Sequence, residues 1–514
     1  MLTDSEESEE LSSDDEHQLQ AYVEDGKEDS LQSKPNATMF VAIVTAMFGA
    51  IMFGIDTTNF GAVVDFETFE EEWCVGNFGD NVTCGHEGGA SKNHKWLDNF
   101  VSWANLLVFL GAAFGAVLFG PPITKNLGRR PCISAGAGVA FVGCLLTSYL
   151  SFSSVPLFFA GRLITGLGIG LCCFALPMYN AEVSAPSIRG TTGSLFQLFV
   201  ALGGLLASII TAFSTDWRIG IMLPGFAAII VMVSIWLTPE SPRFVMAQEG
   251  YEAGLSQLEL VRKGNANREA KDMKREIDEE AEAGQVEYWS LFTQPNLRKR
   301  VAIACWMQIA QQFTGMNTII MYSGTLFREM GFKDPLVTNL IFNCFMVAGM
   351  VIGLFLLDSE MGGRRSQLLY VTACIGPLLV LTGVAIIQDW PNYFTLVSVC
   401  LFALIWQMAW GMIPWVYPAE IFSTAERDRA TSLAVFTQYA ANAVLLYLVP
   451  VILGALRIEG TMLFFGLFNV LNFIFVFAYV KETKGLPLED IPVLFNSKRR
   501  MRDFLEKRSK RGHS

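Results

Sequence analysis

Charged and protonatable side chains are scarce in this chain. Only 17% of its 514 residues are charged, and its four histidines all lie outside the long apolar stretches. No spacing of histidine, cysteine and acidic residues fits a metal site, and neither a hydrolase triad nor a phosphate-binding loop is recognisable. The sequence therefore predicts a protein that is not an enzyme, has no metal and no other cofactor, and has no nucleic-acid partner.

What the chain has instead is apolar sequence. Hydrophobic residues make up 52% of it and the mean hydropathy is +0.38, far above the usual values for soluble domains. A helix needs roughly 20 apolar residues to cross a bilayer. Twelve stretches qualify: 38–63, 97–121, 131–150, 155–178, 191–214, 217–238, 300–327, 335–357, 366–388, 392–417, 429–454 and 460–480. We predict an all-α membrane protein surrounded by the lipid bilayer.

The spans divide the chain into two halves. We predict five segments: an acidic disordered cytoplasmic tail (1–37), an N-terminal six-helix bundle (38–238), a cytoplasmic linker with short helices (239–299), a C-terminal six-helix bundle (300–481) and a cytoplasmic tail (482–514). Most lysines and arginines of the short loops fall on one side under this count, which predicts that both termini are cytoplasmic.

A set of charged residues occurs twice, once in each half. A Gly-Arg-Arg sequence begins each copy, and the offset is nearly constant, at 235 residues from Arg129 to Arg364 and 242 from Glu240 to Glu482. Duplication of both signs indicates equivalent bundles that rock against each other. The predicted cytoplasmic gate consists of Arg129, Arg130, Glu182, Arg189, Glu240, Arg364, Arg365, Glu420 and Arg427. Simple positive-inside anchoring is the alternative.

Two ionisable residues lie within predicted spans. Asp56 ends the apolar run of the first span, and Arg162 follows Gly161 in the fourth. A charge inside a span costs about 2.5–3.5 kcal/mol on insertion scales, so each of the two residues needs a partner or a function. If the helices pack together, opening and closing of this pair would bind and release a proton. A permanent structural ion pair is the alternative.

Several uncharged polar residues and one tryptophan also lie within the spans, and we expect them to bind the substrate. They are Gln197, Gln311, Gln312, Asn317, Trp415, Gln438 and Asn442, with Tyr322 nearby. Amides both donate and accept hydrogen bonds, which suits a ring of hydroxyl groups, and an aromatic face can cover its C–H surface. Hydrogen bonding between helices is the alternative for any single amide.

The first loop and the fourth span carry further motifs. Cys74 and Cys84 lie in the predicted outer loop after the first span, where a disulfide is plausible, and Asn81 begins a glycosylation acceptor sequence. Residues 161–170, GRLITGLGIG, resemble a dinucleotide-binding loop only superficially. Glycines spaced in this way within an apolar helix favour close helix packing instead.

Several motifs together resemble the sugar porter branch of the major facilitator superfamily. They are NLGRR, GRLITGLGIG, YNAEVSAPSIRG, PESPRF, QQFTGMN, GGRR, IPWVYPAEIF and KETKGLPLED. The resemblance implies the major facilitator fold, with twelve transmembrane helices in two pseudo-symmetric six-helix bundles and a central sugar site. It also implies that the amides and Trp415 hold sugar, that the duplicated charges form the inner cluster, and that FGIDTTNFG places Asp56 where proton-coupled members carry an acid.

The sequence departs from this family pattern at a few positions. Lys125 stands where an acid usually precedes Gly-Arg-Arg, Gln407 replaces a common acid, and Ala348 takes a position where many members have a sugar-contacting asparagine. We expect a multi-pass plasma-membrane transporter that moves a hexose, with glucose first, by alternating access and proton symport. A facilitative uniporter, a polyol or inositol carrier, and a non-transporting sugar receptor of the same fold remain alternatives.

Overall fold

The structure is a computed structural model, and it describes residues 34–64, 66–75, 94–185, 188–264, 266–283, 288–322, 326–327, 335–357, 362–422, 424–484 and 491–495. Helices account for nearly all of this part of the chain. Its two strands form one short antiparallel pair. The architecture is therefore all-α, as predicted.

The N-terminal half consists of β1 (Lys34–Pro35), α1 (Ala37–Val63), α2 (Glu67–Glu70) with a π-helical turn (Glu71–Val75), α3 (His94–Phe114) with a π-helical segment (Gly115–Phe119), α4 (Gly120–Asn126), α5 (Arg129–Ser148), α6 (Val155–Val183), α7 (Arg189–Phe213) and α8 (Trp217–Ser234) with a 3-10 turn (Ile235–Leu237). Polar caps fix some helix starts. The Asn36 side chain accepts from the Ala37 N–H at 2.6 Å, and Asp216 accepts from the Arg218 N–H at 3.0 Å.

The linker consists of α9 (Pro242–Glu249), α10 (Tyr251–Val261), β2 (Arg262–Lys263), α11 (Asn267–Ala283) and α12 (Ser290–Thr293). The C-terminal half consists of α13 (Pro295–Gln312), α14 (Met316–Met321), α15 (Pro335–Leu357), α16 (Arg364–Ile387), α17 (Asn392–Gln407), α18 (Ile413–Ile421), α19 (Thr424–Tyr479) and a 3-10 turn (Ile491–Phe495). Helices thus occur in the stretch predicted to link the halves.

Within the described residues, nine helices are long and apolar enough to cross a membrane. The number differs from twelve because the C-terminal spans are interrupted or joined. The predicted span 300–327 breaks between α13 and α14 at Gly315, which has a φ of 95°. Span 392–417 breaks between α17 and α18. The last two predicted spans form the single element α19, interrupted at Arg457 by a non-helical φ of 57° and ψ of −177°.

The described part of the chain begins within the segment that the sequence predicts to be a disordered tail (1–37). Residues 34–37 were expected to be disordered, but Lys34 and Pro35 pair with Lys263 and Arg262, and α1 already begins at Ala37. The Asn36 N–H donates to the Val261 carbonyl at 3.4 Å. Backbone bonds to the linker therefore order this segment.

The glycines of α6 lie where neighbouring helices approach most closely. A Cβ atom at Gly166 would overlap the backbone carbonyl of Val108 in α3, and one at Gly168 would overlap the backbone of Ala140 in α5. The motif at 161–170 is therefore a packing surface, as the sequence predicts, because only glycine allows these backbones to approach so closely.

Gly166→Ala is expected to destabilise the bundle. The added methyl group meets backbone rather than a movable side chain, so the helices must separate, at a cost of roughly 1–3 kcal/mol or more. Thermal unfolding in detergent measures the effect. Gly138→Ala is the matched control, because the nearest atom to its Cβ would be the Met232 sulfur at an ordinary 3.4 Å. Equal melting temperatures for the two variants would contradict this packing role.

Candidate functional site

A cavity lies between the two halves near the middle of the bundle. Helices of both halves line it, and none of the described side chains that line it is charged. Six of the seven residues predicted to bind substrate are among them: Gln197, Gln311, Asn317, Trp415, Gln438 and Asn442. The seventh, Gln312, lies behind the wall, where its Oε1 accepts from the Asn317 amide.

The break between α17 and α18 forms one wall of the cavity. Backbone carbonyls are released there from regular helical bonding, and buried glutamines bind them. Gln311 Nε2 donates to the Trp410 carbonyl within the break at 2.5 Å, and Gln308 Nε2 donates to the Pro414 carbonyl in the first turn of α18 at 2.8 Å. The break persists in an apolar bundle because side-chain amides satisfy its backbone.

These bonds fix the direction of two amides. A carbonyl can only accept, so Trp410 holds the NH₂ of Gln311 and turns its Oε1 toward Gln438, whose Nε2 donates to it at 2.6 Å. The Gln438 Oε1 is buried and has no hydrogen-bond partner among the described residues, and the same holds for Gln407 Oε1 and Asn343 Oδ1. All three residues line the cavity. The cavity therefore presents buried acceptors that lack donors.

Aromatic rings cover another side of the cavity. Trp415 lies 6.4 Å from the ring of Phe53 and 6.2 Å from that of Tyr439, in edge-to-face arrangements. With its amide oriented to satisfy both neighbours, Gln197 accepts from Trp415 Nε1 at 2.9 Å and donates to the Gly411 carbonyl at 3.1 Å. Gln197 thus ties the N-terminal half to the broken helix of the other half.

On α15, the residue that lines the cavity differs from the predicted one. Ala348 is exposed on the outer face of the helix, so the expectation that it occupies a sugar-contacting position is wrong. Asn343 and Met346 of the same helix line the cavity instead. Of the other predicted residues, Tyr322 donates to the Leu446 carbonyl at 3.0 Å.

Asp56 and Arg162 form an ion pair beside the cavity. The Arg162 Nη1 and Asp56 Oδ1 atoms are 2.9 Å apart, and the side chains are only 2% and 4% exposed. The guanidinium also lies 4.5 Å from the centre of the Phe60 ring. The helix that carries Asp56 contributes Phe53, Thr57 and Thr58 to the cavity wall. A movement of α1 therefore affects the ion pair and the cavity together.

An aromatic cluster covers this ion pair toward the ends of α1 and α8. Phe60 contacts Phe69 of α2, which in turn contacts Trp73 and the edge of Trp217 at 5.5 Å. Glu72 anchors the segment, since its carboxylate accepts from Trp217 Nε1 at 3.0 Å and from Arg218 at 2.6 Å. The cluster excludes water from one side of the Asp56 and Arg162 pair.

The first charge cluster joins the ends of α5, α6 and α9. Arg129 donates to Glu182 at 2.7 Å, and the backbone N–H groups that begin α5 donate to the Glu240 carboxylate at 3.1–3.4 Å. Burial raises the pKa of Glu240, and backbone hydrogen bonds oppose this shift. Glu240 thus caps a helix to which it does not belong. Ser241 completes the cluster by donating to Glu182 at 2.5 Å.

The second cluster repeats this geometry in the other half. Arg364 donates to Glu420 at 2.9 Å, and Glu482 accepts from the backbone N–H groups that begin α16 at 2.8 and 3.0 Å. Thr483 donates to Glu420 at 2.6 Å, as Ser241 does to Glu182. Both clusters lie at one end of the bundle, which we call the charged end.

Sequence reasoning missed several paired members of these clusters. Tyr179 and Tyr417 bind backbone near Glu240 and Glu482, and Ser241 and Thr483 have the equivalent roles described above. The signal was present in the sequence, because YNAE recurs as YPAE and Glu-Ser recurs as Glu-Thr at the same offset as the charges.

The remaining predicted residues have less defined positions. The Arg427 Nη2 donates to the Phe422 carbonyl at 3.3 Å, and Arg130 and Arg365 stack on Trp236 and Phe477. Arg189 begins α7, and its side chain lies outside the described atoms. The same is true of the Cys74 side chain, and Cys84 and Asn81 fall outside the described residues, so the disulfide and the glycosylation site stay predictions.

Glu420→Gln is expected to destabilise the charged end by roughly 2 kcal/mol, because it removes the carboxylate that accepts from the mostly buried Arg364 at 2.9 Å. Thermal unfolding and transport rate are the measurements. Glu459→Gln is the control, since its partner Arg457 is 82% exposed and such a pair contributes about 0–1 kcal/mol. If the two variants behave alike, the clusters are ordinary surface charges.

Comparisons with known proteins agree with this architecture. The family model described as sugar (and other) transporter matches residues 41–495. The chain is 32% identical over 394 residues to the solute carrier family 2, facilitated glucose transporter member 2, of Gallus gallus, covering 73% of this chain and 72% of that protein. It is 30% identical over 396 residues to membrane transporter D1 of Leishmania donovani, covering 72% and 69% respectively.

A solved structure shows the same fold. The proton:xylose symporter XylE of the major facilitator superfamily, bound to 6-bromo-6-deoxy-D-glucose, superposes with a TM-score of 0.73. The alignment covers 90% of this chain and 99% of that one, at 22% sequence identity. At this identity, the likeness shows the fold and no more.

Proposed function

Since this chain belongs to the sugar (and other) transporter family and is a multi-pass membrane protein with the major facilitator fold, we propose that it carries a hexose, with glucose as the first candidate, in symport with a proton. The family establishes a sugar-porter-type transporter. The identity of the sugar and the coupling to protons are our proposals.

The unpaired acceptors in the cavity are the observation that carries the choice of a polyhydroxylated substrate. Gln438, Gln407 and Asn343 each present a buried amide oxygen that has no donor in the described part of the chain. A buried acceptor without a donor costs about 1–3 kcal/mol, which a substrate hydroxyl group recovers. An anion would meet repulsion from these oxygens, and a cation would find no carboxylate among the described residues that line the cavity.

Proton symport is supported by the place of Asp56. The pair with Arg162 is buried under Phe60, so separating the two charges would leave a buried carboxylate and a buried guanidinium without each other, which is costly in free energy. Because α1 also lines the cavity through Thr57 and Thr58, sugar binding and the opening of the pair involve one helix. We propose that Asp56 takes up a proton when the pair opens and releases it when the pair closes.

The charged end is proposed to face the cytoplasm and to act as a gate. Each cluster holds three chain segments of its own half in one arrangement, so rearrangement of the clusters biases the equilibrium between two states of the bundle. The excess of lysine and arginine on that side supports the orientation with both termini inside. We propose the plasma membrane as the membrane that holds the protein.

Uptake by purified protein in proteoliposomes tests the proposal. Labelled hexoses, pentoses, polyols and inositol are offered with and without an inward proton gradient. We expect accumulation of a hexose that depends on the gradient. Uptake indifferent to the gradient means facilitative transport, preferred uptake of inositol or another polyol means a polyol carrier, and sugar binding without any uptake means a receptor; each of these outcomes overturns the proposal.

A further inference from the structure

Three basic side chains lie at the charged end of the C-terminal half. They are Lys299 near the start of α13, Arg365 in the first turn of α16 and Lys481 just after α19, and we call them the basic patch. Both lysines are exposed, and the arginine is half-buried. The patch therefore lies at the surface, where the ends of three helices meet.

Contacts between α13 and the last part of α19 bring the two lysines to the same level. Asn472 Nδ2 donates to the Ala310 carbonyl at 3.2 Å, and the ring centres of Phe475 and Trp306 are 6.1 Å apart. Residue numbers fall along one helix as they rise along the other, so the two helices are antiparallel. The lysine of α13 lies seven residues before Trp306, and the lysine after α19 lies six residues beyond Phe475. Both lysines thus reach the charged end at about the same height.

The arginine of the patch is held beside the second lysine. Its Nη2 donates to the Phe477 carbonyl at 3.0 Å, and its guanidinium carbon lies 5.6 Å from the centre of the Phe477 ring. Its backbone N–H donates at 3.0 Å to Glu482, the residue that follows Lys481. Arg365 therefore contacts the chain on both sides of Lys481.

The three positive charges of the patch have no acid among them. None of the three side chains forms a salt bridge with a described residue, whereas the neighbouring Arg364 pairs with Glu420. Partial burial lowers the pKa of Lys481, and the positive charges of Lys299 and Arg365 lower it further. Like charges that converge in this way repel one another, so an anion bound between them would stabilise the patch.

The N-terminal half does not repeat this patch. Since Glu240 corresponds to Glu482 in the duplicated charge set, the position of Lys481 is taken by Pro239 there. The first helix of that half, α1, contains no lysine or arginine, whereas the first helix of the other half carries Lys299. The patch is therefore an addition to the C-terminal half, and the duplicated charges do not account for it.

Apolar side chains continue from the patch toward the middle of the membrane. Trp306 of α13 is 42% exposed, and Phe477 and Tyr479 of α19 are 62% and 54% exposed. Exposed aromatic side chains near the ends of membrane helices lie at the level where headgroups meet acyl chains. A ligand of the patch thus meets positive charge and, next to it, an apolar surface.

We propose that the basic patch binds the headgroup phosphate of an anionic phospholipid, whose acyl chains lie along the exposed aromatic side chains. A free phosphate ion uses the charges but not the apolar surface beside them, so the lipid is the ligand that uses both. Each lysine or arginine near a membrane surface strengthens binding to anionic lipid by about fivefold. This inference goes beyond the proposed function, since it depends neither on the sugar nor on coupling to protons.

Lipid binding by the purified full chain in detergent tests the proposal. Fluorescent phosphatidylglycerol is the probe, and phosphatidylcholine with the same acyl chains is the zwitterionic reference. We expect Lys299→Gln combined with Lys481→Gln to weaken phosphatidylglycerol binding by roughly twentyfold, and Lys299→Arg combined with Lys481→Arg to retain it. Lys271→Gln is the matched control, because it removes an exposed lysine of α11 outside the patch, and we expect it to bind as the wild-type protein does.

Four results would overturn the proposal. Equal binding of the glutamine double variant and the control would remove the lysines from the site, and equal binding of both lipids by the wild-type protein would remove the role of charge. Displacement of the lipid by millimolar inorganic phosphate would mean a site for the free ion. Binding that requires removal of residues 1–33, which include twelve acidic residues, would mean that the acidic tail occupies the patch. None of these measurements uses sugar, so failure of this inference is distinct from failure of the proposed function.

Discussion

Asp56→Asn is expected to abolish sugar accumulation by the transporter. One proton supplies about 1.4 kcal/mol per pH unit and about 2.3 kcal/mol per 100 mV, which together support accumulation of roughly several hundredfold. Asparagine cannot exchange a proton in this range, so the variant should equilibrate sugar without concentrating it. Steady-state accumulation of labelled glucose under both gradients measures the loss.

The same variant should keep part of its function. Sugar contacts at the amides are unchanged, so binding and exchange of sugar across the membrane remain measurable. Asp389→Asn is the matched control, because it makes the same substitution at an exposed position. If Asp56→Asn accumulates sugar as the control does, the pair with Arg162 is a structural ion pair and the coupling proposal is wrong.

Gln438→Leu is expected to raise the apparent KM for sugar by roughly ten- to a hundredfold. The substitution removes the unpaired Oε1 that faces the cavity and also the Nε2 that holds Gln311 in place. Each lost hydrogen bond to a buried neutral partner changes the free energy of binding by about 1 kcal/mol, and more where a group is left unpaired. Binding and uptake titrations provide the apparent constants.

Gln308→Leu separates this effect from a loss of stability. Gln308 lies one turn before Gln311 and donates to the Pro414 carbonyl, but it does not line the cavity. Its replacement leaves a buried carbonyl unpaired and should lower stability by about 1–3 kcal/mol without changing the KM. A similar rise in KM for both variants would mean that the glutamines act only as bonds between helices.

The sequence predicts the positions of membrane helices well where an apolar run of bilayer length is enough to identify the helix. The spans near 131–150, 155–178 and 366–388 correspond to single helices, because a bilayer-length apolar run has few alternatives to a helix. The breaks at Gly315 and after Gln407 are not visible in hydropathy. The break after Gln407 depends on Gln311, which donates to the Trp410 carbonyl, and at the Gly315 break Asn469 donates to the Thr314 carbonyl at 3.3 Å. Both contacts join residues that are distant in the sequence.

The candidate site was partly predictable for a similar reason. Amides are rare in apolar spans, so Gln311, Gln438 and Asn442 stand out by residue type alone. Residue type does not tell whether an amide faces the cavity or points away from it. Gln312 was expected to line the cavity, but it lies behind the cavity wall. Asn343 was missed because its place depends on the register of α15, where Ala348 turns outward.

The duplicated charges carried information about geometry as well as about fold. Nearly equal spacing in the two halves indicated equivalent charged clusters, and the structure has two local clusters of similar build. It did not indicate that Glu240 and Glu482 bind backbone N–H groups at helix starts rather than guanidinium groups. Every residue except proline has a backbone N–H group, so residue types do not indicate which ones a carboxylate binds. Such contacts can be identified only from the structure.

Simultaneous measurement of glucose and proton entry tests the central claim most directly. Purified protein in proteoliposomes, with an internal pH-sensitive dye and no imposed gradient, receives labelled glucose on the outside. The account predicts internal acidification with one proton per glucose in the wild-type protein and no proton movement with Asp56→Asn. Glucose entry without any accompanying proton in the wild-type protein would contradict it.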